Sequence, residues 1–456
     1  MERRSLIKSL GAFSLGAWHS ALDQGEKLAD PYVVKHTKLD TDVLVVGGGT
    51  AGTIAALQAG RAGVRTIIIE AGSQLGGTTT TGGVVFPGIF HAWGKQIIGG
   101  IGWELVTDCV NEDGGELPNF SIIPNNTTIR HWQHQVSVNG ALYTLLAEEK
   151  CTDAGIQIRY YETPTQITTS DTGWLVTTVG KGIEAEITCK QIIDCTGNAS
   201  AASLVGYKLL RDIDTQPGSL IFRIGGYEYD ALDLNQIPKK YHGMLRQNQI
   251  ISGKVTNPEG IFPANVPYGY VYVPGADSTN AELHSQANMQ GRSNLLKLLR
   301  DLRTHPGCEK TRILDLKTET AVRETYRIDG EYKVTHQDYV EGRVFEDSIS
   351  HSFYPIDLHR EGKSIYQEFL KEDVVACIPL RALIPRDSAN FLVAGRCVSS
   401  DRLANSALRV QASCMGMGQA AGAAAALACI KGVTPGTLPI SEVQDLIEAH
   451  GGIIPR

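Results

Sequence analysis

The sequence predicts an α/β fold in which a largely parallel sheet lies between layers of helices. Two observations lead to this prediction. An apolar run at 42–46 is followed by a glycine-rich turn, a segment of helical composition at 50–61 and a second apolar run at 65–69, which is the order of a βαβ unit. Far along the chain, the apolar run in "ANFLVAGRCVSS" precedes another helical segment, rich in small residues. Both ends of the chain are therefore expected to contribute to one layered domain.

The turn after the first apolar run has the spacing Gly47-x-Gly49-x-x-Gly52. The first glycine permits a tight turn, the second lets a pyrophosphate approach the backbone, and the third lets helix and strand pack closely. The N–H groups and dipole at the start of the following helix favour a phosphate. The second strand ends at Glu70, where an acidic residue can accept hydrogen bonds from a ribose hydroxyl. The sequence thus predicts a dinucleotide site formed by Gly47, Gly49, Thr50, Ala51, Gly52, Glu70 and Ala71.

Length and composition are those of an ordinary globular protein. The chain has 456 residues, of which 42% are hydrophobic and 20% charged, so two or three domains are expected at roughly 150 residues per domain. A net charge of −7 without a Lys/Arg run argues against nucleic acid as a partner. No apolar stretch reaches the ~18 residues of a spanning helix, so no transmembrane segment is expected. The nine cysteines form no CxxC or zinc spacing, and no metal site is expected.

The N-terminus differs from the rest of the chain. Arg3 and Arg4 precede a short, weakly apolar stretch, which resembles the twin-arginine export signal of bacteria. That pathway carries folded proteins and would suit a periplasmic or exported cofactor enzyme. A cytoplasmic protein with a disordered leader is the alternative, because no good small-x-small cleavage site follows. In either case, residues 1–38 are set apart from the fold as an export-signal-like leader.

The sequence after the second strand indicates which dinucleotide is bound, NAD or FAD. An NAD domain would continue into another βαβ unit, whereas here a Gly/Thr-rich loop at 72–85 lets backbone approach a longer cofactor. A β-rich excursion at 155–200 then returns to an apolar strand and a turn. The last helical segment starts with Gly416, Gly418 and Gly422, and such a start suits contact with a flat cofactor ring. These segments extend the predicted cofactor site by Gly76, Gly77, Thr78, Thr79, Gly82, Gly83, Thr196, Gly197, Gly395, Arg396, Gly418 and Gln419.

The chain resembles the flavoprotein oxidoreductases of the glutathione-reductase-like Rossmann class in "VVGGGTAG", "IIIEAG", "LGGTTTTGG", "IIDCTGNAS", "YPIDLH", "IPLRALIP" and "LVAGRCVSS" with the small-residue helix that follows. Within that class it is similar to the FAD-dependent oxidoreductases, distant relatives of fumarate reductase flavoprotein subunits. The resemblance implies FAD bound across a Rossmann domain, with substrate at the flavin under a second domain. Relatives with covalent flavin can carry a histidine in the threonine/glycine loop. This chain has four threonines at 78–81 instead, so noncovalent FAD is expected, with His91 as the nearest imidazole.

The predicted fold class is therefore an FAD/NAD(P)-binding, Rossmann-like three-layer domain with an inserted mixed α+β substrate domain. The FAD-binding domain is expected at 39–215 and 374–456. The substrate or cap domain is expected at 216–373, where the composition shifts toward mixed strand and loop. Within it, 294–303 has helical periodicity and 321–332 alternates like a strand.

Arg323 is the first candidate for chemistry in the inserted domain. Its strand-like segment runs back toward the active site in relatives, where an arginine can hold a substrate carboxylate or oxyanion in a bidentate manner. An ion pair with Glu324 or Glu331 at the domain seam is an equally good interpretation.

The segment from His351 onward, "HSFYPIDLHRE", contains a second set of candidates. In an extended segment Asp357 and His359 share a face, and a carboxylate that orients an imidazole and raises its basicity makes an acid/base pair. A metal site is the less favoured alternative, because flavin already supplies redox chemistry. A loop held by Asp-to-backbone bonds is the structural alternative. Tyr354 lies in the same segment.

The implied mechanism is flavin chemistry. His359 takes a proton from the substrate while hydride moves to the flavin N5, and Arg409 with the adjacent helix dipole stabilises the reduced flavin. The same residues would serve in reverse as a fumarate-type alkene reductase. An NAD(P)-dependent enzyme and a noncatalytic flavin-binding protein are further alternatives. The expected partners are a small-molecule substrate and an unidentified electron acceptor or donor. The expected catalytic residues are His359, Asp357, Tyr354, Arg409 and Arg323.

Overall fold

The computed structural model of the protein describes residues 33–123, 134–250, 269–360 and 365–456. In these ranges the strands are, in chain order, β1 (Lys35–Val46), β2 (Thr66–Glu70), β3 (Gly88–Ile89), β4 (His91–Ala92), β5 (Lys95–Gln96), β6 (Gln135–Val136), β7 (Gln157–Tyr160), β8 (Thr163–Ser170), β9 (Gly173–Gly180), β10 (Ile183–Asp194), β11 (Leu209–Leu210), β12 (Gly218–Gly225), β13 (Gly269–Val273), β14 (Arg312–Leu316), β15 (Arg327–Ile328), β16 (Ser348–Ser352), β17 (Ile356–Leu358), β18 (Tyr366–Glu368), β19 (Ala376–Pro379) and β20 (Phe391–Val393).

The helices in the same ranges are α1 (Thr50–Arg61), α2 (Gly100–Glu112), α3 (Gly140–Asp153), α4 (Ser200–Val205), α5 (Lys239–Ile250), α6 (Ala281–Leu302), α7 (His336–Glu341), α8 (Arg402–Leu408), α9 (Gln411–Lys431) and α10 (Ile440–Ala449).

The largest sheet has the strand order β7-β2-β1-β10-β9-β8, with β20 beside β10. Strands β1, β2 and β7 are parallel, and β20 is parallel to the end of β10. The first part of β10 pairs antiparallel with β9, and β9 with β8, which accounts for the β-rich excursion expected at 155–200. The predicted α/β, Rossmann-like fold class is confirmed.

The end of strand β1, residues 43–46, is buried on both faces, as its apolar sequence predicts. Val43 and Val45 point into a core shared with helices α1, α2, α3 and α9. Leu44 and Val46 point the other way, into a core shared with β9, β10 and helix α4. The sheet therefore lies between two layers, and its carboxyl-terminal edge is held on both sides.

Helix α9 packs along α1, and glycines make this close approach possible. A Cβ at Gly418 would collide with the carbonyl oxygen of Ala51, and a Cβ at Gly422 with that of Ala55. By length and mean hydropathy (1.3), α9 is the one helix of the described residues that could span a membrane, although no such stretch is expected from the sequence. Its hydropathy comes from alanines, and 78% of its most apolar window is buried inside the protein.

The inserted region contains a separate antiparallel sheet of order β13-β12-β14. Leu220 and Phe222 of β12 and Val271 of β13 form its core with residues of helices α5 and α6. Helix α6 contains the periodic segment 294–303 except its last residue. The domain limits at 215/216 and 373/374 stay a prediction.

The prediction of a strand at 321–332 is wrong for most of that segment. Ala321 forms a single bridge with Ser219, and only Arg327–Ile328 forms a strand. The main chain between them meets side chains instead of a neighbouring strand, since the carbonyl of Val322 accepts a hydrogen bond from the Arg396 guanidinium.

The twin-arginine segment lies outside the described residues. Strand β1 begins at Lys35, which falls inside the predicted leader 1–38, so the regular structure starts slightly earlier than expected.

Candidate functional site

A cavity of about 560 Å³ opens where β1 and β2 end and helix α1 begins. The predicted residues Gly47, Gly49, Thr50, Ala51, Glu70 and Ala71 line it. The loop after β2 contributes Gly77, Thr78 and Gly82, the turn after β10 contributes Thr196 and Gly197, and the segment after β20 contributes Gly395 and Arg396. Segments far apart in sequence thus meet around one site.

The three glycines of the turn have three different surroundings. Gly47 has φ +99°, and a Cβ there would lie 2.8 Å from the carbonyl carbon of Cys195. Gly52 packs the helix against the turn, since a Cβ would collide with the carbonyl oxygen of Gly47. At Gly49 the nearest atom to a Cβ is the Cys195 carbonyl oxygen, 4.0 Å away, so the space beside Gly49 is open. Gly49 also begins helix α1 without a side-chain cap. The first-turn N–H groups therefore have room for a ligand.

Glu70 ties two backbone segments together beside this turn. Its Oε2 accepts from the N–H of Gly48 at 2.7 Å, and its Oε1 accepts from the N–H of Gly72 at 2.6 Å. Burial raises the pKa of Glu70, and the two N–H groups oppose the rise. Each carboxylate oxygen keeps a further lone pair for another donor.

The turn after β10 is held by buried polar groups. Asp194 accepts hydrogen bonds from the Thr196 N–H (3.0 Å), the Thr196 hydroxyl (2.7 Å) and the Ala202 N–H (2.9 Å). Arg396 donates to the Gly197 carbonyl at 2.7 Å and to Asn198 Oδ1 at 2.9 Å. Arg396 is thus fully engaged in fixing the wall of the cavity.

Six residues predicted for the cofactor site do not line the cavity: Gly52, Gly76, Thr79, Gly83, Gly418 and Gln419. Gly76 and Gly83 allow tight packing, because a Cβ would meet Thr80 and Lys317 respectively. The Thr79 hydroxyl donates to Gln411 Oε1 at 2.7 Å.

The two residues of helix α9 are the clearest corrections. Gly418 faces helix α1 instead of the cavity. Gln419 is buried, and its Oε1 accepts from the Ile101 N–H at 3.2 Å while its Nε2 reaches the carbonyls of Ile447 and His450. Small residues allow a helix to approach another helix as well as a cofactor, and here they serve helix packing.

Two predicted arginines, Arg323 and Arg409, line the same cavity. Arg323 donates to the Pro217 carbonyl at 2.5 Å, and neither Glu324 nor Glu331 is its partner. Burial, followed by the charge of Arg409, lowers the pKa of Arg323 to about 10, so it is a cation at neutral pH.

Arg409 forms a long ion pair with Asp357, with 3.9 Å between its Nη2 and Asp357 Oδ2. Its Nη2 lies 3.5 Å from Gln216 Oε1 and 3.4 Å from the Asp357 carbonyl oxygen, and its Nε is buried without a hydrogen-bond partner among the described residues. Two cations therefore line one wall of the cavity, and one of them has an unused donor.

Asp357 and His359 meet as the alternation of "PIDLH" predicts. Asp357 Oδ2 lies 2.9 Å from His359 Nε2, and Asp357 Oδ1 accepts from Gln367 at 3.0 Å. Burial would raise the pKa of Asp357, but the hydrogen bond with His359 and the charge of Arg409 outweigh it, so that the net pKa is lowered. Burial also lowers the pKa of His359, against the opposing effect of Asp357.

Neither Asp357 nor His359 lines the cavity itself. They are joined to it through Gln216, whose Oε1 accepts from the His359 N–H at 2.9 Å and lies near Arg409. Tyr354 is also outside the cavity lining, and its backbone N–H and carbonyl bond to the Tyr339 hydroxyl at 3.1 and 2.9 Å.

Two further histidines, His91 and His351, lie outside the cavity lining. The ring of His91 stacks on Phe120 with the centroids 3.7 Å apart. His351 lies beside Cys377 on the strand pair β16–β19. Within the described ranges, no group of three or more His, Cys, Asp and Glu side chains could hold a metal ion.

Comparison with known proteins decides the class. A match to the family described as FAD dependent oxidoreductase covers residues 42–447. The chain belongs to this family. The predictions of an enzyme, of oxidoreductase activity and of FAD as the cofactor are thereby confirmed.

Other known proteins are similar over shorter stretches or at lower identity. Nicotine dehydrogenase from Pseudomonas putida is 41% identical over 83 residues, which are 18% of this chain and 17% of that protein. A geranylgeranyl bacteriochlorophyll reductase-like protein from Thermoplasma acidophilum is 13% identical, with 90% of this chain and 84% of that chain covered and a TM-score of 0.42. Anhydrotetracycline hydroxylase from Streptomyces rimosus is 15% identical, with 90% and 65% covered and a TM-score of 0.44.

The cavity of this FAD dependent oxidoreductase fits its cofactor. The open space beside Gly49 is what a pyrophosphate requires, because any side chain there would enter it. Glu70 lines the cavity, and an acidic residue at the end of this strand can accept a hydrogen bond from a ribose hydroxyl. The cavity volume lies within the ~300–1,000 Å³ of ligand sites. Gly395 and Gln411 extend the lining onto the C-terminal segments.

Sequence reasoning misses Gln216 and Tyr272, two residues that do not line the cavity but contact its candidate catalytic residues. Gln216 links Glu324, to which it donates at 2.6 Å, with His359 and Arg409. The hydroxyl of Tyr272 lies 2.8 Å from His359 Nδ1. The alternation of tyrosine and valine in "GYVYV" marks a strand with one polar face, but nothing in the sequence says what that face meets.

Proposed function

We propose that this FAD dependent oxidoreductase transfers a hydride between the flavin and a small polar substrate that carries a negative charge. The observation that carries the proposal is the pair of half-buried arginines, Arg323 and Arg409, in the wall of the cofactor cavity. Their charges repel each other, and the buried Nε of Arg409 donates to no acceptor among the described residues. A carboxylate satisfies both requirements because it is anionic and accepts two parallel N–H bonds from a guanidinium.

FAD supplies the redox step, since its ring system accepts or donates a hydride equivalent. The chain's own residues bind and orient the substrate and move a proton. Arg323 and Arg409 hold the negative group, and the Asp357–His359 pair belongs to the proton path. Closely positioned cations also stabilise negative charge that develops on a bound ring.

The direction favoured here is oxidation of the substrate. One similar protein is named a dehydrogenase, which supports this direction. The reverse reaction, a fumarate-type reduction of an alkene, would use the same cations and proton path. Kinship with the glutathione-reductase-like class and with fumarate reductase flavoprotein subunits belongs to this proposal, and the resemblance of the sequence segments named above supports it.

Noncovalent attachment of FAD and export are parts of the same proposal. Threonines at 78–81 offer no imidazole, and His91 is stacked away from the cavity lining. Arg3 and Arg4 favour twin-arginine export to the periplasm. Release of the yellow colour into the supernatant after acid precipitation would support noncovalent FAD, and colour in the pellet would contradict it.

The test is anaerobic bleaching of the flavin absorbance by small 2-hydroxy and 2-amino acids, each beside its methyl ester, which lacks the carboxylate charge. We expect an acid to bleach the flavin and its ester to do so poorly. Arg409→Gln should lower the affinity of the enzyme for the acid about 10- to 100-fold, because a hydrogen bond to a charged group contributes about 1.5–3 kcal/mol. The ester should be unaffected.

Arg343→Gln is the matched control, because Arg343 is an exposed arginine paired with Asp338. Equal bleaching by acid and ester, or equal loss in both variants, would contradict an anionic substrate.

A further inference from the structure

We propose that the Tyr272 hydroxyl exchanges the proton with the substrate, and that His359 and Asp357 are positioning residues behind it. The inference rests on the proposed function, since it names the proton carrier of that reaction. It differs from the sequence expectation, in which His359 itself meets the substrate. The hydrogen-bond pattern of the three side chains carries it.

Both ring nitrogens of His359 are occupied. Asp357 has a lowered pKa and is ionised, so it can only accept, and His359 Nε2 must therefore carry the proton that points to it. His359 Nδ1 then has a free lone pair, and the hydroxyl at 2.8 Å that meets it belongs to Tyr272. Burial raises the pKa of Tyr272, so the phenol is protonated and donates. A substrate could bind directly to His359 only by displacing Tyr272 or Asp357.

Tyr272 lies on the side of its sheet away from the core. Its neighbours Val271 and Val273 point into the core with helices α5 and α6, and by strand alternation Tyr270 and Tyr272 point to the opposite face. The guanidinium of Arg323, which lines the cavity, lies 5.7 Å from the centre of the Tyr272 ring. The Tyr272 carbonyl is fixed by Asn294 at 3.1 Å. Tyr272 does not line the cavity itself, but its ring lies against Arg323, one of the two cations proposed to hold the substrate, whereas Asp357 lies against Arg409.

The proton step is balanced in the oxidising direction. The substrate O–H or N–H bond breaks and an O–H bond forms on Tyr272, while the original Tyr272 O–H bond breaks and an N–H bond forms at His359 Nδ1. The electron pair left on the substrate heteroatom forms a double bond to carbon as that carbon loses a hydride, for which the FAD of this family is the oxidant. His359 becomes an imidazolium paired with Asp357, and Tyr272 ends neutral. The reverse direction returns the proton along the same path.

The charges around His359 suit this transient role. Asp357 favours the imidazolium, while Arg323 and Arg409 disfavour it, and burial adds to their effect. The imidazolium is therefore not the resting form at neutral pH, and it is oriented to return its proton. Asp357, Tyr272, Arg323 and Arg409 are the ionisable groups that act on this ring.

The test compares Tyr272→Phe with Tyr270→Phe in the FAD-loaded enzyme. Tyr270 is the control for the neighbouring hydroxyl, because it lies on the same face two residues away, is 39% exposed and has its hydroxyl 3.5 Å from that of Tyr272. Its substitution removes that contact and leaves the Tyr272–His359 hydrogen bond in place. The first readout is the rate of anaerobic flavin bleaching by the acid that bleaches the wild type. Tyr272→Phe should lose about 10²–10⁴-fold in this rate, the usual contribution of a positioned acid or base, while Tyr270→Phe stays near wild type.

The second readout does not depend on turnover. The ¹⁵N resonance of His359 Nδ1, assigned by its absence in His359→Gln, should move toward that of an unbonded nitrogen lone pair in Tyr272→Phe and stay in place in Tyr270→Phe. Wild-type bleaching by Tyr272→Phe, or an unmoved resonance, would overturn the inference. If no acid bleaches the wild type, the proposed function fails instead, and the resonance still decides whether the Tyr272–His359–Asp357 chain exists.

Discussion

The cofactor-binding part of the cavity is made mostly of main chain, whereas the part around Arg323 and Arg409 is made of side chains. Gly47, Gly49 and Gly52 act by lacking a Cβ, and they lie within six positions of one another. The second part draws its groups from segments as much as 193 residues apart. In the main-chain part, an added side chain changes the shape of the cavity, but the glycines supply no side-chain acid, base or charge. A side-chain site can be altered chemically while the fold is kept.

The largest effect is expected at Gly49. Gly49→Val places a side chain in open space, so the protein should fold, but the side chain occupies the place of the pyrophosphate. We expect FAD affinity to fall more than about 100-fold, which corresponds to about 2.8 kcal/mol. The ratio of flavin to protein absorbance and a titration with FAD measure it.

Gly243→Val is the control for Gly49→Val, because a Cβ at Gly243 would also meet no atom within 4 Å and Gly243 lies away from the cavity. Normal FAD content in both variants would mean that the main-chain turn does not hold the cofactor. That result would contradict the division of the cavity into a main-chain part for the cofactor and a side-chain part.

The next effect concerns the side-chain part. His359→Gln should keep FAD and lower the bleaching rate about 100-fold, within the range for acid–base groups. In the wild type the rate of oxidation should fall as the pH drops through a pKa below the ordinary His value of about 6.5, because only neutral His359 accepts a proton and burial lowers its pKa. The variant should lose this acidic limb. An unchanged pH profile would separate His359 from the proton path.

Glu70→Gln gives a smaller effect and sharpens the comparison, because Glu70 is a side chain acting inside the main-chain part. An amide replaces one acceptor oxygen by a donor, so one of the N–H groups of Gly48 and Gly72 loses its partner. We expect the free energies of folding and of FAD binding to lose about 1–3 kcal/mol in total. Thermal unfolding with and without added FAD separates the two. Unchanged values in both would show that the carboxylate is dispensable.

The smallest effect is expected outside both parts, at His91. Burial, followed by the nearby His134, lowers the pKa of His91 to about 4. Between about pH 6.5 and 4 the unfolded chain therefore binds the proton more readily than the folded chain, and stability falls as the pH falls. His91→Phe keeps the stack on Phe120 and removes the titrating group. The melting temperature of the variant should therefore rise relative to that of the wild type as the pH falls through that window. A constant difference from pH 8 to 4 would contradict the buried neutral state.

Local geometry explains which predictions succeed. The βαβ order, the glycine turn and Glu70 can be recognised because a tight turn, a phosphate approach and a helix start each demand particular residues at fixed short spacings. Asp357 and His359 can be paired from sequence for the same reason, since alternation in an extended segment places them together. The leader and the domain limits stay predictions.

Only the tertiary structure decides what small residues and lone polar residues meet. Gly418 and Gln419 have a composition that suits a cofactor, but helix α9 uses them to pack on α1 and to bind the main chain of 101, 447 and 450. Gln216 and Tyr272 carry no local signal, because their partners lie 143 and 87 residues away. The sequence by itself thus determined the dinucleotide turn and the layered sheet, since both depend on short-range backbone demands, and its resemblance to flavoproteins implied FAD. The substrate side depends on side chains that only long-range packing brings together.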